Sequence, residues 1–388
     1  MKHLLVIPDG AADHPHPDLD GRTPLAAAHL MHLRAMAFAG QVGRARTIPN
    51  GMYAGSDVGC MSALGFDPAK YWSGRAPIEA ASMGVKLKNG QVAFRCNLVT
   101  VDKGVMKDFS AGHITTAESS ELVGALQDAV GGTVAFHPGV QYRHVMVGPS
   151  EMGEAQCTPP HDIIGKQVAK FVPKGAAAKA LKKLMDQSVK VLAEHPVNKE
   201  RQKQGKAPAT QIWLWGQGSK PKLPSFEKTY GTSGALISAV DLVRGLGVLS
   251  GLEVIDVPGA TGYYDTDYQA KAEAALVALR KHDVCVIHVE ATDEAGHEGD
   301  IDRKVEALQR FDAELLGTLR QRLAGRAWKM LLLPDHSTPC HLRTHTDEPV
   351  PYLLFDATEP QPGGTFTEEA VASLDPVPAH TLVKQLLA

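Results

Sequence analysis

Three aspartates stand just past short apolar runs, and each has neighbours suited to holding a divalent cation. Asp9 follows the run His3–Ile7 in Pro8-Asp9-Gly10, where the glycine lets the backbone turn tightly. Asp293 and His297 are four apart in Asp-Glu-Ala-Gly-His. On a helical turn that spacing puts a carboxylate and an imidazole on one face, where both can bind one ion. Asp335 and His336 are adjacent in Pro-Asp-His-Ser-Thr-Pro. Neighbours diverge on a regular strand, so both reach one ion only from an irregular turn, which the prolines favour. His345, in Arg-Thr-His-Thr-Asp-Glu-Pro, and nearby His341 compete for a further ligand position, and the residues alone leave that choice open. Taken singly, each of these groups also fits a turn, a cap or a solvated surface.

Ser56 lies in Gly-Met-Tyr-Ala-Gly-Ser-Asp-Val-Gly, ahead of a helix-like stretch. It can be a plain helix cap. It also has chemical merit, because a helix N-terminus offers N–H groups and a favourable dipole to a phosphate. Metal coordination would turn its weakly nucleophilic hydroxyl into an active one. With Ala54 and Val58 flanking it at two residues' distance, there is no Gly-x-Ser-x-Gly elbow and no sign of an α/β-hydrolase triad. Cys60, one helical turn on, reads as a packed helix residue. A donor set of oxygen and imidazole suits manganese, magnesium, zinc, iron or cobalt without deciding among them.

The elements that must position these groups are strands ending in loops. His3–Ile7, Val284–Val289, Lys329–Leu333 and, more weakly, Tyr352–Phe355 are short apolar runs bounded by turn signals. Loops beyond the carboxyl ends of parallel strands build the sites of open α/β sheets, so three carboxylates there suggest convergence on one centre. Helical patterns over Ala235–Leu246, Gln269–Arg280 and Arg303–Leu323 alternate with the strands and predict a mainly parallel sheet flanked by helices.

The middle of the chain reads differently. Gln91–Val101 and Thr133–Val147 are strand-like, the latter with a turn at His137-Pro138-Gly139, and Ala176–Ala193 is helical. Residues 86–229 are therefore expected to form a smaller inserted α+β domain, with 1–85 and 230–388 making the core. A chain of 388 residues accommodates two such units.

Composition narrows the partners. Hydrophobic residues make up 44% and charged residues 21%, and the net charge is −3, so no nucleic-acid footprint is expected. No apolar run approaches the roughly 18–20 residues of a membrane span, and the N-terminus does not read as a signal peptide. Cytoplasmic residence follows by default. The five cysteines form no CxxC pair, which speaks against a disulfide framework or a thiolate zinc site.

In order along the chain, the segments IPDGAAD, GSDVGCMSALGFDP, YWSGRAPIEA, FRCNLVTV, YRHVMV, GALISAVDLVRGLG, PGATGYYDTDYQAK, HVEATDEAGHEGD and THTDEPVPYLL resemble the archaeal-type cofactor-independent phosphoglycerate mutases of the alkaline phosphatase superfamily. The resemblance implies an alkaline-phosphatase-like core and two divalent ions, manganese foremost and zinc, cobalt or magnesium as alternatives, with no 2,3-bisphosphoglycerate. It places one ion on Asp293, His297 and His345, and the other on Asp9, Asp335, His336 and the Ser56 oxygen. It thereby selects His345 over His341.

The implied reaction interconverts 3-phosphoglycerate and 2-phosphoglycerate, small phosphorylated three-carbon acids of glycolysis and gluconeogenesis, through a phosphoserine on Ser56. The inserted domain would supply substrate contacts from Arg95, Asn97, Arg143, His144, His161 and Asp162, with Arg75 a further candidate that a structural ion pair explains nearly as well. His144, His161 or Asp162 would move protons. A homoserine kinase, a metal-dependent phosphatase of the same superfamily and a metal-stabilised binding protein are the rival readings. The oligomeric state is not legible.

Overall fold

Lys2–Pro8 is a strand whose last five residues are all buried, as a central strand covered on both faces requires. The structure, a computed structural model, describes residues 1–388. Its strands are β1 (Lys2–Pro8), β2 (Gln41–Arg46), β3 (Gln91–Asp102), β4 (Val105–Asp108), β5 (Ala135–His137), β6 (Arg143–Pro149), β7 (Gln211–Ser219), β8 (Gly234–Ile237), β9 (Glu253–Ile255), β10 (Val284–Val289), β11 (Trp328–Leu332), β12 (Val350–Asp356) and β13 (Val377–Pro378). No helix is long and apolar enough to cross a membrane.

The chain divides into two compact units, Met1–Trp72 with Leu223–Ala388, and Ser73–Lys222. The divisions fall at 72/73 and 222/223, where sequence composition had suggested 85/86 and 229/230. Residues 73–85 go with the second unit because the helix Ala76–Ser82 packs Ala76 and Ala80 against Ala93, Val145 and Val147 of its sheet. Residues 223–229 go with the first, where Phe226 meets Tyr230 and the Tyr230 hydroxyl donates to the Gly65 carbonyl.

The first unit holds an eight-stranded sheet in the order β13-β2-β12-β11-β1-β10-β8-β9. The run β11-β1-β10-β8-β9 is parallel, and β12 is antiparallel to both β11 and β2. The helices Tyr268–Ala278 and Ile301–Arg310 bury Ala272, Ala275, Ala307 and Leu308 in one core with Leu4, Val6, Cys285 and Ile287.

The Ala235–Leu246 segment departs from the expected helix. Gly234–Ile237 is the strand β8, fully buried, and the helix begins only at Asp241. A four-residue apolar run flowing into a helix carries too little periodicity to separate the two.

The second unit is an antiparallel sheet in the order β4-β3-β6-β5, with β7 also paired to β3. Buried residues of the helices Thr116–Val130 and Ala178–Glu194 share a core with Phe94, Cys96 and Leu98 of β3.

Candidate active site

The three sequence aspartates meet because β11, β1 and β10 are adjacent parallel strands whose carboxyl ends point the same way. Asp9 directly follows β1, Asp293 lies in the first turn of the helix Ala291–Glu298 that follows β10, and Asp335 lies in the irregular loop after β11. The loops brace one another. The Gly10 N–H donates to Asp335 Oδ1 at 3.1 Å, Thr338 N–H to the Ala12 carbonyl at 3.1 Å, and the Thr292 hydroxyl to the Asp9 carbonyl. Gly10 has φ +59°, and a Cβ there would lie 2.5 Å from both Asp293 Oδ1 and Thr338 Oγ1, so only glycine fits the turn. Beneath it, Lys304 Nζ reaches Asp13 Oδ2 at 2.7 Å and the Thr338 carbonyl at 2.8 Å, a fully buried ion pair tying the loops to the helix Ile301–Arg310.

Ser56 is the first residue of the helix Ser56–Ala63, all of which is buried. The N-cap is Gly55, with no side-chain cap bond, so Ser56 is not spent on capping. Its Oγ lies 3.2 Å from His336 Nε2. Gly59 lets this helix approach, because a Cβ there would run into the Asp335 carbonyl. Cys60 is buried, with Sγ 3.4 Å from Asp335 Oδ2, and burial holds its thiol well above the ordinary value. It packs and is no nucleophile.

Three sets of potential ligand atoms each lie within 4.8 Å of one another: Asp293 with His297 and His345, Asp9 with Asp335 and His336, and Asp9 with Cys60 and His288. His341 is exposed, its ring tilted against that of His14 at 5.1 Å between centroids.

The donor set fits cations. Each of the three imidazoles has Nδ1 against an oxygen: His336 on Thr338 Oγ1 at 3.2 Å, His297 on the Arg343 carbonyl at 3.2 Å, and His345 on the Ala54 carbonyl at 3.3 Å. Carbonyls only accept, and the Thr338 hydroxyl gives its proton to Asp293 Oδ1 at 2.5 Å. Nδ1 must therefore donate in all three rings, so the inward-facing Nε2 atoms are the ones open to a cation or a proton, as in metal-bound histidines. His297 Nε2 and His345 Nε2 face each other at 2.8 Å, which two lone pairs tolerate only with a cation or proton between them. Asp9 Oδ1 is buried without a hydrogen-bond partner.

Electrostatics agree. Burial and the neighbouring Asp335, Glu290 and Asp293 raise the Asp9 carboxyl well above its ordinary value. Burial and Asp293 push Glu290 up to about 8. Burial opposes ionisation of Asp293 too, but His297 and His345 outweigh it and hold it well below the carboxylate range. Burial opposes charging His297, yet Asp293 raises it to about 9. Burial lowers His336 to about 4, so its ring is neutral at pH 7. These carboxylates can be ionised together only where positive charge, from protons or a cation, sits among them.

The second unit gathers another cluster. Arg95 Nε lies 2.7 Å from Glu79 Oε2, and its guanidinium sits 4.2 Å over the Trp215 ring. Arg75 Nε pairs with Glu79 Oε1 at 3.0 Å, the structural ion pair that the sequence allowed. Burial brings Arg95 down to about 10; it also pushes Glu79 up, but the two arginines prevail and hold that carboxyl below its ordinary value. Trp215 Nε1 donates to Asn97 Oδ1 at 3.1 Å, and the His161 ring lies 5.2 Å from Trp215, with Asp162 Oδ1 3.5 Å from His161 Nε2. Arg143 pairs with Asn97 across β3 and β6 and therefore shares its face.

His144 does not join them. It pairs with Cys96, so strand alternation turns it to the opposite, core-facing side, where Nδ1 accepts the Gly139 N–H at 3.0 Å and burial lowers it to about 3. Glu79, Trp215, Thr338 and His288 escaped the sequence reading; the apolar-to-polar step at His288-Val-Glu290 was the one signal available for the last.

A mainly parallel α/β sheet with a carboxylate–imidazole centre and a serine at its carboxyl edge defines the class. The profile of the family described as 2,3-bisphosphoglycerate-independent phosphoglycerate mutase matches residues 37–198. The chain is 45% identical to the enzyme of that name from Methanosarcina acetivorans, over 100% of both chains. It is 47% identical to the probable enzyme of that name from Geobacter sulfurreducens, over 96% of each. Among solved structures, a Pyrococcus horikoshii protein covers 100% of this chain and 97% of its own at TM-score 0.84 and 28% identity. The cofactor-independent phosphoglycerate mutase from Thermoplasma acidophilum is similar at TM-score 0.66 and 25% identity, over 100% of this chain and 99% of its own. The chain belongs to the 2,3-bisphosphoglycerate-independent phosphoglycerate mutase family.

Proposed function

We propose that this chain interconverts 3-phosphoglycerate and 2-phosphoglycerate without 2,3-bisphosphoglycerate, by way of a phosphoserine on Ser56. The observation that carries the reading is the Ser56 hydroxyl, free of any capping bond and 3.2 Å from His336 Nε2 beside the ligand groups. Asp293, His297 and His345 would hold one divalent cation, and Asp9, Asp335 and His336 with the Ser56 oxygen a second. Bound there, the ions supply positive charge that lowers the pKa of the serine hydroxyl and offsets the charge of the phosphoryl group.

Ser56 Oγ attacks phosphorus in line. The bond from phosphorus to the C3 oxygen breaks, and that oxygen takes a proton. The C2 hydroxyl then gives up a proton and attacks the phosphoserine, which frees Oγ. His161 and Asp162, exposed and paired, would carry the protons. Arg95, held by Glu79 and Trp215, presents a rigid fork to the glycerate carboxylate, with Asn97 and Arg143 beside it. Arg75 steadies the same Glu79.

Purified protein supplied with manganese should convert 3-phosphoglycerate to 2-phosphoglycerate with no bisphosphorylated primer. No conversion, together with ATP-dependent phosphorylation of homoserine or simple release of phosphate, would overturn the reading in favour of a kinase or a phosphatase.

A further inference from the structure

One buried histidine beside the centre is turned the other way from the three described. His288 Nε2 lies 2.8 Å from Asp9 Oδ2, and its Nδ1 lies 3.2 Å from Ser238 Oγ. The Ser238 oxygen also accepts the Val240 N–H at 3.0 Å, which fixes the hydroxyl beside Nδ1. With a cation on Oδ1, Asp9 is ionised and only accepts, so Nε2 carries the ring proton in that state. The three ligand histidines thus offer Nε2 as a lone pair, whereas His288 offers it as a donor. His288 is accordingly no ligand, although its nitrogen, an Asp9 oxygen and Cys60 Sγ lie within 4.8 Å of one another.

The sheet makes the chain Ser238–His288–Asp9 possible. β8, β10 and β1 are adjacent parallel strands; Ile237 pairs with Ile287, and Ile7 with His288. The three residues therefore line up across three strands at their carboxyl ends. Ser238 and His288 are both buried, and Lys271 Nζ donates to the His288 carbonyl at 3.2 Å, fixing the backbone behind the ring. Glu290 Oε2 is the only other carboxylate oxygen recorded near Nε2, at the longer 3.5 Å. With Oδ2 so engaged, Asp9 keeps Oδ1 as its unpartnered atom.

We infer that His288, held between Ser238 and Asp9, is a positioning residue that orients Asp9 so that Oδ1 is presented to the cation held with Asp335 and His336. The inference rests on the two-ion reading above. Partners that orient a ligand typically change metal affinity about 10–100-fold when removed.

The test is direct titration of manganese into the metal-stripped full chain, followed by calorimetry and by the electron-spin signal of free manganese, with circular dichroism to confirm folding. Wild type should bind two ions. Ser238→Ala, which removes a single oxygen, and His288→Leu should weaken one of them about 10–100-fold. The other should be unchanged. His288→Gln, whose amide N–H can stand where Nε2–H stood, should recover most of the loss. Folded Ser238→Ala and His288→Leu that bind both ions as wild type does would overturn the positioning role while leaving the two-ion reading intact. A wild-type chain that binds fewer than two ions would overturn that reading and this inference together.

Discussion

Ser56 Oγ and His336 Nε2 lie 3.2 Å apart although 280 residues separate them. The contact exists because a fully buried helix, opened by Gly55 and thinned at Gly59, packs against the loop after β11. Ser56→Ala removes one oxygen and no cap bond. Turnover should fall by roughly 10⁴–10⁶-fold, the scale seen when a nucleophile is lost. Unfolding midpoint and manganese uptake at Asp293, His297 and His345 should stay near wild type, measured by thermal melts and calorimetry.

His345→Ala and His341→Ala should behave differently. His345 Nε2 faces His297 Nε2 at 2.8 Å, whereas the exposed His341 ring lies tilted against His14. The first variant should lose more than the about 10–100-fold in metal affinity typical of an outer partner. The second should match wild type. Equal losses in both would remove the ligand assignment.

Gly10→Ala should damage the centre without removing a ligand. The left-handed φ costs an alanine about 1–2 kcal/mol. Its Cβ would also push on Asp293 Oδ1 and Thr338 Oγ1. A lowered melting temperature with weakened binding of manganese is the expected result, and wild-type binding would contradict it.

Much of this centre was legible in the sequence, for a definite reason. An apolar run followed by an Asp in a turn marks a strand end, and parallel strand ends converge, so Asp9, Asp293 and Asp335 could be grouped before any coordinates. The rest needed three dimensions. His341 and His345 sit in the same irregular segment; the residues alone left the choice open, the resemblance pointed to His345, and His345 is the one that faces His297 and Asp293. His144 looked like a neighbour of Arg143, but strand alternation sends it to the other face. β8 was hidden in a helical pattern because its four residues are buried all round. His288 and His336 are chemically identical in a sequence; what tells them apart is which nitrogen meets a donor.

The second unit should show an acid-sensitive brace. The Glu118 carboxylate takes the Thr115 N–H at 3.0 Å and Arg201 Nη1 at 2.8 Å. Burial pushes this carboxyl up, but the Thr115 bonds and Arg201 outweigh it and hold it below its ordinary value. A depressed folded value means stability that is present above the unfolded value, about 4.3. It is lost as pH falls through the lower folded one. Glu118→Gln should cost about 1.5–3 kcal/mol at neutral pH, as for bonds to charged groups. In urea titrations of the full chain that gap should shrink as pH falls; a constant gap would contradict the linkage.

Arg95→Lys should raise KM for 3-phosphoglycerate about tenfold or more with a smaller change in kcat, since lysine keeps the charge but loses the fork and the stack on Trp215. Steady-state kinetics would show a falling kcat at unchanged KM if Arg95 acted otherwise.

The central claim is that Ser56 itself carries the phosphoryl group. Manganese-loaded protein mixed with 3-phosphoglycerate, quenched in acid within a turnover and digested, can be read by peptide mass spectrometry. The account predicts phosphate on Ser56, absent from Ser56→Ala. Sustained mutase turnover with phosphate on another residue, or in a chain lacking the Ser56 hydroxyl, would contradict it.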